Sequence, residues 1–205
     1  MYLKYSLTLL FCFCATSAFA KGDPKTQTDA IIEAFKNVKA APEDGKLSDA
    51  DRKHNKGAFK ALDAFFDYHT LTINTVKKNK KAFKKGELKK FQKMLEELIR
   101  MVAYPDSGAF LNEAQITVGA AKIKGNKADV EMEALLEEED FETIATYHWH
   151  KVKKQWKLFD VSFDGDSLIK DYQNQFGGII KEKGVKGLVD LLNKRHAKEK
   201  AKGNI

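Results

Sequence analysis

WKLFDVSFDGDSLIKDYQNQFGGIIKEKGVKGLVDLL, residues 156–192, changes its apolar period halfway along, and that change decides the fold. Trp156 to Phe163 is rich in aromatic residues and lies between the tight Lys153-Lys154-Gln155 turn and Asp164-Gly165, which reads as a strand. Beyond that turn, Leu168, Ile169, Tyr172, Phe176, Ile179 and Ile180 fall at helical spacing behind a cap at Asp166 or Ser167. Lys183-Gly184 stops this helix, and Val185, Leu188, Val189, Leu191 and Leu192 form a short last one. A strand running through a tight turn into an amphipathic helix belongs to an α+β domain, in which helices cover a face the sheet must bury.

Upstream, three more stretches carry the strand period. AQITVGAAKI (114–123) leads through Lys124-Gly125-Asn126 to ADVEMEAL (128–135), where Val130, Met132 and Ala134 alternate with Glu131 and Glu133. An acidic turn, EEED (137–140), precedes FETIATYHWHKV (141–152), with Phe141, Ala145, Tyr147 and Trp149 on one face. Short loops between four such strands predict an antiparallel meander with one face to bury.

The first half is helical. Asp29 to Ala40 has Ile31, Ile32, Phe35 and Val38 on one stripe, with residues 21–28 expected to be loose. Ser48 or Asp49 caps a helix carrying Phe59, Leu62, Phe65, Phe66 and Leu71. Glu87 to Ala103 places Leu88, Phe91, Leu95, Leu98, Met101 and Val102 on a strong apolar face, and Tyr104-Pro105-Asp106-Ser107-Gly108 is expected to end it.

The ends of the chain set an address. MYLKYSLTLLFCFCATSAFA (1–20) has a positive start, a short apolar run and the small-x-small site Ala18-Phe19-Ala20, so it reads as a secretory signal peptide cleaved after Ala20. The apolar run falls short of the ~20 residues of a spanning helix. Both cysteines, Cys12 and Cys14, leave with the signal, and with them disulfides and thiol chemistry. The remaining 185 of 205 residues make one domain, 21–197, followed by a basic tail, 198–205, expected to be disordered. The whole-chain charge is +7, and loss of Lys4 leaves +6. Arg52, Arg100 and Arg195 are the only arginines; a lysine-dominated, exported chain is not composed like a nucleic-acid binder. A monomer in the periplasm is expected.

Catalytic chemistry finds little footing. His148-Trp149-His150 puts two imidazoles on one strand face, where Asp160 on the next strand could complete a metal site. The preferred reading is two polar positions flanking an inward Trp149. Asp160, between Phe159 and Val161, is the candidate acid–base carboxylate, and on an alternating strand a hydrogen-bonding role is preferred. Glycine-rich phosphate loops, nucleophile elbows and H-E-x-x-H are absent, so no catalytic residue, metal or cofactor is expected. The run KKNKKAFKKGELKKFQK (77–93) is the densest basic segment; it reads as the wet face of a helix, or as a contact for anionic headgroups or an acidic partner.

Residues 156–192 also carry a resemblance. Trp156 to Val161, Gly165-Asp166-Ser167-Leu168, Tyr172 to Phe176 and the apolar-Gly-apolar helix Gly184 to Leu192 resemble the MlaC, or toluene-tolerance, family of periplasmic phospholipid-binding proteins. Where that family usually has Asn-Tyr-Arg, this chain has Asp171-Tyr172-Gln173. The resemblance implies a twisted antiparallel sheet of four or five strands wrapped by helices and enclosing an apolar cavity. It implies a phospholipid as ligand. It also implies a soluble carrier between an outer-membrane lipoprotein complex and an inner-membrane transporter of the ABC and MCE type. On this reading Val118, Val130, Met132, Tyr147 and Trp149 from the sheet, with Leu168, Ile169, Tyr172, Phe176 and Ile179 from the helix, line the cavity. The alternatives are a carrier of another apolar molecule, a small enzyme built on Asp160 or the histidine pair, and an interaction module with a filled core.

Overall fold

The computed structural model describes residues 22–42 and 45–201. The expected signal peptide, 1–20, and the end of the expected basic tail, 202–205, lie outside the described residues, as does Lys21. Five helices come first: α1 (Pro24–Lys36), α2 (Asp49–Asp63), α3 (Tyr68–Thr75), α4 (Glu87–Leu98) and α5 (Tyr104–Glu113). A 3₁₀ turn, Lys77–Ala82, links α3 to α4, and a π-helical segment, Ile99–Ala103, links α4 to α5. The sheet follows as β1 (Gln115–Val118), β2 (Lys122–Lys124), β3 (Lys127–Leu136), β4 (Phe141–Val152), β5 (Gln155–Phe163) and β6 (Asp166–Ser167). Then α6 runs from Leu168 to Ala201, broken at Gly184, whose φ of 67° and ψ of 179° are non-helical.

The sheet is an antiparallel meander in the order β1-β3-β4-β5-β6, with β2 continuing the β1 side of β3. The expected first strand is thus two short ones, interrupted after Val118. Alternation sets the register: Val130 faces Tyr147, and Tyr147 faces Val161. A bulge between His148 and Trp149 leaves Phe159 unpaired. The helix break expected at Lys183-Gly184 is present.

Three local expectations change. Of the stretch 21–28 expected to be loose, the described part, 22–28, is ordered into α1: Pro24 sits in its first turn, behind an Asp23 side chain that accepts from the Lys25 and Thr26 amides. Apolar periodicity missed this turn because its buried residues include Gln27 and Thr28. Tyr104-Pro105 does not end the helical run. Pro105 has no N–H to give the preceding turn, and a π segment just before it absorbs the mismatch, so that α5 starts at Tyr104. The basic tail is helical through Ala201, with Glu199 buried and bonded to Arg195 Nε at 2.9 Å.

Two apolar clusters result. The first packs α1, α2 and Tyr104 on the sheet, centred on Ile31, Leu62, Val130 and Trp149. The second joins α4 to both halves of α6 through Phe91, Leu95, Phe176 and Leu188. Ile99 packs against both. In the first cluster the helices come very close: a Cβ on Gly108 of α5 would lie 2.7 Å from the Phe35 carbonyl of α1.

Candidate functional site

The site lies at the seam between the two clusters. The sheet supplies Tyr147 from β4 and Leu158, Val161 and Phe163 from β5. The π segment supplies Ile99 and Ala103, and the first turns of α6 supply Leu168, Ile169 and Tyr172. Phe35, Phe66, Leu71 and Tyr104 close the rest of an apolar pocket of about 140 Å³. Its mouth is greasy, since Phe163 and Leu168 are 43% and 38% exposed. On the far side of Ile99, Ala103 and Tyr172 lies a second apolar space, a groove of about 510 Å³ between α4 and α6, with Lys194, Arg195 and Lys198 on its rim. The structure does not show a single enclosed, lipid-sized cavity; it shows two apolar spaces sharing one wall.

The sequence-expected residues divide accordingly. Tyr147, Leu168, Ile169 and Tyr172 line the pocket, and Tyr172 and Phe176 line the groove. Val130, Met132 and Trp149 lie deep in the sheet-side core, with Val118 partly buried against it. Ile179 packs on the helical cluster. Alternation correctly turns those strand residues inward, but whether an inward residue meets a helix or a space depends on where the helices stop. Ile99, Ala103 and Tyr104 were out of reach, because only the π segment turns them to the seam.

Asp160 is the one carboxylate in the pocket wall, and its oxygens are occupied. Oδ1 accepts from the Val161 and Ile169 amides at 2.9 and 3.1 Å, and Oδ2 accepts from Ser167 Oγ at 2.6 Å. Ser167 Oγ in turn accepts from the Lys170 amide at 3.2 Å. These bonds satisfy orphan donors at the start of α6 and stitch it to β5. Asp160 is therefore a structural cap, not a free base.

The histidines find separate partners. His148 Nδ1 lies 2.7 Å from Asp129 Oδ1, and its Nε2 lies 2.7 Å from Ser162 Oγ. His150 Nε2 lies 3.0 Å from Asp67 Oδ2. Asp129–His148–Ser162 has the order of a nucleophilic relay, but Ser162 sits in the ladder between Thr146 and Ser167. Backbone N–H groups there serve neighbouring strands rather than an oxyanion. No group of three or more metal-ligating side chains comes together among the described residues.

A polar cluster that the sequence did not reveal borders the pocket at Tyr104. Asp63 Oδ1 accepts from Tyr104 Oη at 3.0 Å, Tyr68 Oη at 3.2 Å and Arg100 Nε at 2.8 Å. Arg100 also bonds Glu96 and lies 5.0 Å over the Tyr68 ring. Burial raises both phenol pKa values well above the ordinary tyrosine range, so both stay neutral donors. Burial opposes the Arg100 charge, but its carboxylate partners outweigh that and hold the guanidinium protonated. With two acids around one base, the cluster is no anion site; it braces α2, α3, α4 and α5 behind the pocket.

No described helix is long and apolar enough to cross a membrane. No curated protein matches the chain. Among solved structures it is similar to a phospholipid-binding protein from Ralstonia solanacearum, solved in complex with a phospholipid. The TM-score is 0.61 at 21% identity, over 85% of this chain and 95% of that one. Residues 26–194 match the MlaC protein family, and the chain belongs to that family.

Proposed function

We propose that this protein is a periplasmic phospholipid carrier rather than an enzyme. It would move lipid between the outer and inner membranes as the soluble component of an ABC-type transport system. Its docking partners would be an outer-membrane lipoprotein complex and an inner-membrane ABC/MCE-type transporter. The observation that carries this reading is the apolar seam between sheet and helices, in a fold whose relative from Ralstonia solanacearum was solved with a phospholipid. Each methylene exposed to water costs ~0.8 kcal/mol, so an acyl chain crosses an aqueous gap only inside such a sheath.

The pocket, at about 140 Å³, is smaller than the ~300–1,000 Å³ of ordinary small-molecule sites. Loading therefore widens the seam, with the wall at Ile99, Ala103 and Tyr172 giving way so that pocket and groove serve one ligand. The headgroup stays at the wet mouth, so the site needs no dense set of polar contacts.

The test is organic extraction of the purified protein followed by mass spectrometry. The expected result is co-purified phospholipid, lost from a Val161→Asp variant that puts a charge in the pocket while remaining folded. Protein that arrives without phospholipid and takes none from liposomes would overturn the reading.

A further inference from the structure

The helical layer carries a charge feature that lipid enclosure does not use. Between Lys77 and Lys93 stand nine lysines and one acid, Glu87. All nine lysines are exposed, and only Lys93 has a carboxylate nearby among the described residues, Glu97 at 3.8 Å. Glu87 is turned to its own chain, accepting from the Lys84 amide at 2.7 Å. Of the two aromatic residues in the run, Phe91 is fully buried and Phe83 packs inward against it, with ring centroids 5.4 Å apart. What faces outward is a field of ammonium groups, eight of the nine without a carboxylate partner among the described residues, with no apolar wedge.

We propose that this face, from the 3₁₀ turn Lys77–Ala82 through Lys84 and Lys85 to the first turns of α4, docks the protein onto an anionic membrane surface. The inference rests on the carrier reading for its choice of occupant. Three observations favour a membrane over an acidic protein. The patch contains lysine and no arginine, whereas protein interfaces are enriched in arginine and depleted in lysine. Ammonium groups on flexible stems suit a diffuse layer of headgroups better than fixed carboxylates. And α4 runs from this face directly to the apolar groove, where Leu95 and Leu98 lie beside a rim that includes Lys194 and Lys198. Docking by this face would hold the lipid route next to the headgroups. The acidic segment Glu137–Asp140 belongs to the sheet and is exposed, so the same surface would repel it and orient the molecule.

The experiment is co-sedimentation of the purified protein with sucrose-loaded vesicles. A phosphatidylglycerol–phosphatidylethanolamine mixture is compared with phosphatidylcholine, at about 50 mM salt and again at about 500 mM, where screening shortens to a few ångströms. Binding is expected to the anionic vesicles alone and to be released by salt. Replacing Lys80, Lys81, Lys84 and Lys85 with Ala should weaken partition by ~100-fold or more. Replacing Lys46, Lys53, Lys56 and Lys60, exposed lysines before and along α2, should weaken it less than ~5-fold, although the same net charge is lost. No binding to anionic vesicles, or equal losses from the two quadruple variants, would overturn the proposal. Lipid content measured on the same preparations separates the two readings: bound phospholipid without vesicle binding removes only the docking face, and absence of both removes the carrier as well.

Discussion

The two apolar clusters are held together in different ways. On the sheet side, buried polar bonds join elements far apart in the chain. Trp149 Nε1 donates to Thr28 Oγ1 at 3.0 Å, and the Thr28 hydroxyl in turn donates to the Pro24 carbonyl at 2.9 Å. Asn55 pairs with the backbone of Lys39 through both its amide atoms. On the helical side the buried threonines donate within their own turns, Thr72 to Tyr68 O at 2.6 Å and Thr75 to Thr72 O at 2.7 Å, and one bond crosses from α4, Gln92 Nε2 to Thr72 Oγ1 at 3.1 Å. Further bonds between elements lie at its rim, as in Gln173 to Asn74 O and His196 to Glu97, each 2.8 Å. Directional bonds fix one arrangement, whereas apolar contact tolerates several of similar volume. A pinned sheet facing a layer held mainly by volume is a body that can part along one seam without losing its fold.

The largest test of this contrast is Phe91→Ala. Phe91 is fully buried at the centre of the helical cluster, and its loss should cost ~3–5 kcal/mol in urea unfolding. Leu95→Met in the same cluster should cost less than ~1.5 kcal/mol. A larger loss would show that the helical layer is as exactingly packed as the sheet side. Gly108→Ala should cost ~1–3 kcal/mol, because the new Cβ meets the Phe35 carbonyl and one of two backbones must shift. Thr28→Val keeps shape but orphans the Trp149 N–H, and should destabilise by ~1–3 kcal/mol. If that variant were neutral, the sheet side would be no more pinned than its partner.

The smallest effect concerns Asp67, at the join of α2 and α3. Burial raises its pKa, but hydrogen bonds from the Thr70 amide and hydroxyl outweigh burial, so the pKa falls below the usual 3.8. A carboxyl depressed on folding adds stability that is complete above its unfolded pKa and is lost as pH falls through the folded value. Asp67→Asn should therefore reduce stability at pH 7 and flatten the loss seen below about pH 4 in the parent protein.

The meander was legible because a period of two and short polar turns leave one antiparallel solution. The root of α6 was legible from Asp166-Ser167 and the stripe that follows. The start of α1 was not, since Gln27 and Thr28 are buried by satisfying neighbours rather than by being apolar. Nor was α5, because a proline that breaks a regular helix can be carried by a π turn. The pocket was only partly legible: its walls come from separate elements, and no single periodicity records which faces stop short of each other.

The stitching of α6 to β5 through Asp160 has a mechanical consequence. A helix fastened at its root and interrupted at Gly184 is a rod of about 24 Å by the rise of an α-helix, and any swing as the seam widens would pivot at the root. By that length, a swing of about 10° would move its far end by roughly 4 Å, close to the width of an acyl chain, while the root would barely stir. The aperture would open as a wedge, narrow at Ile169 and wide toward Gly184, so thickness admitted is a matter of leverage rather than of space stored in advance.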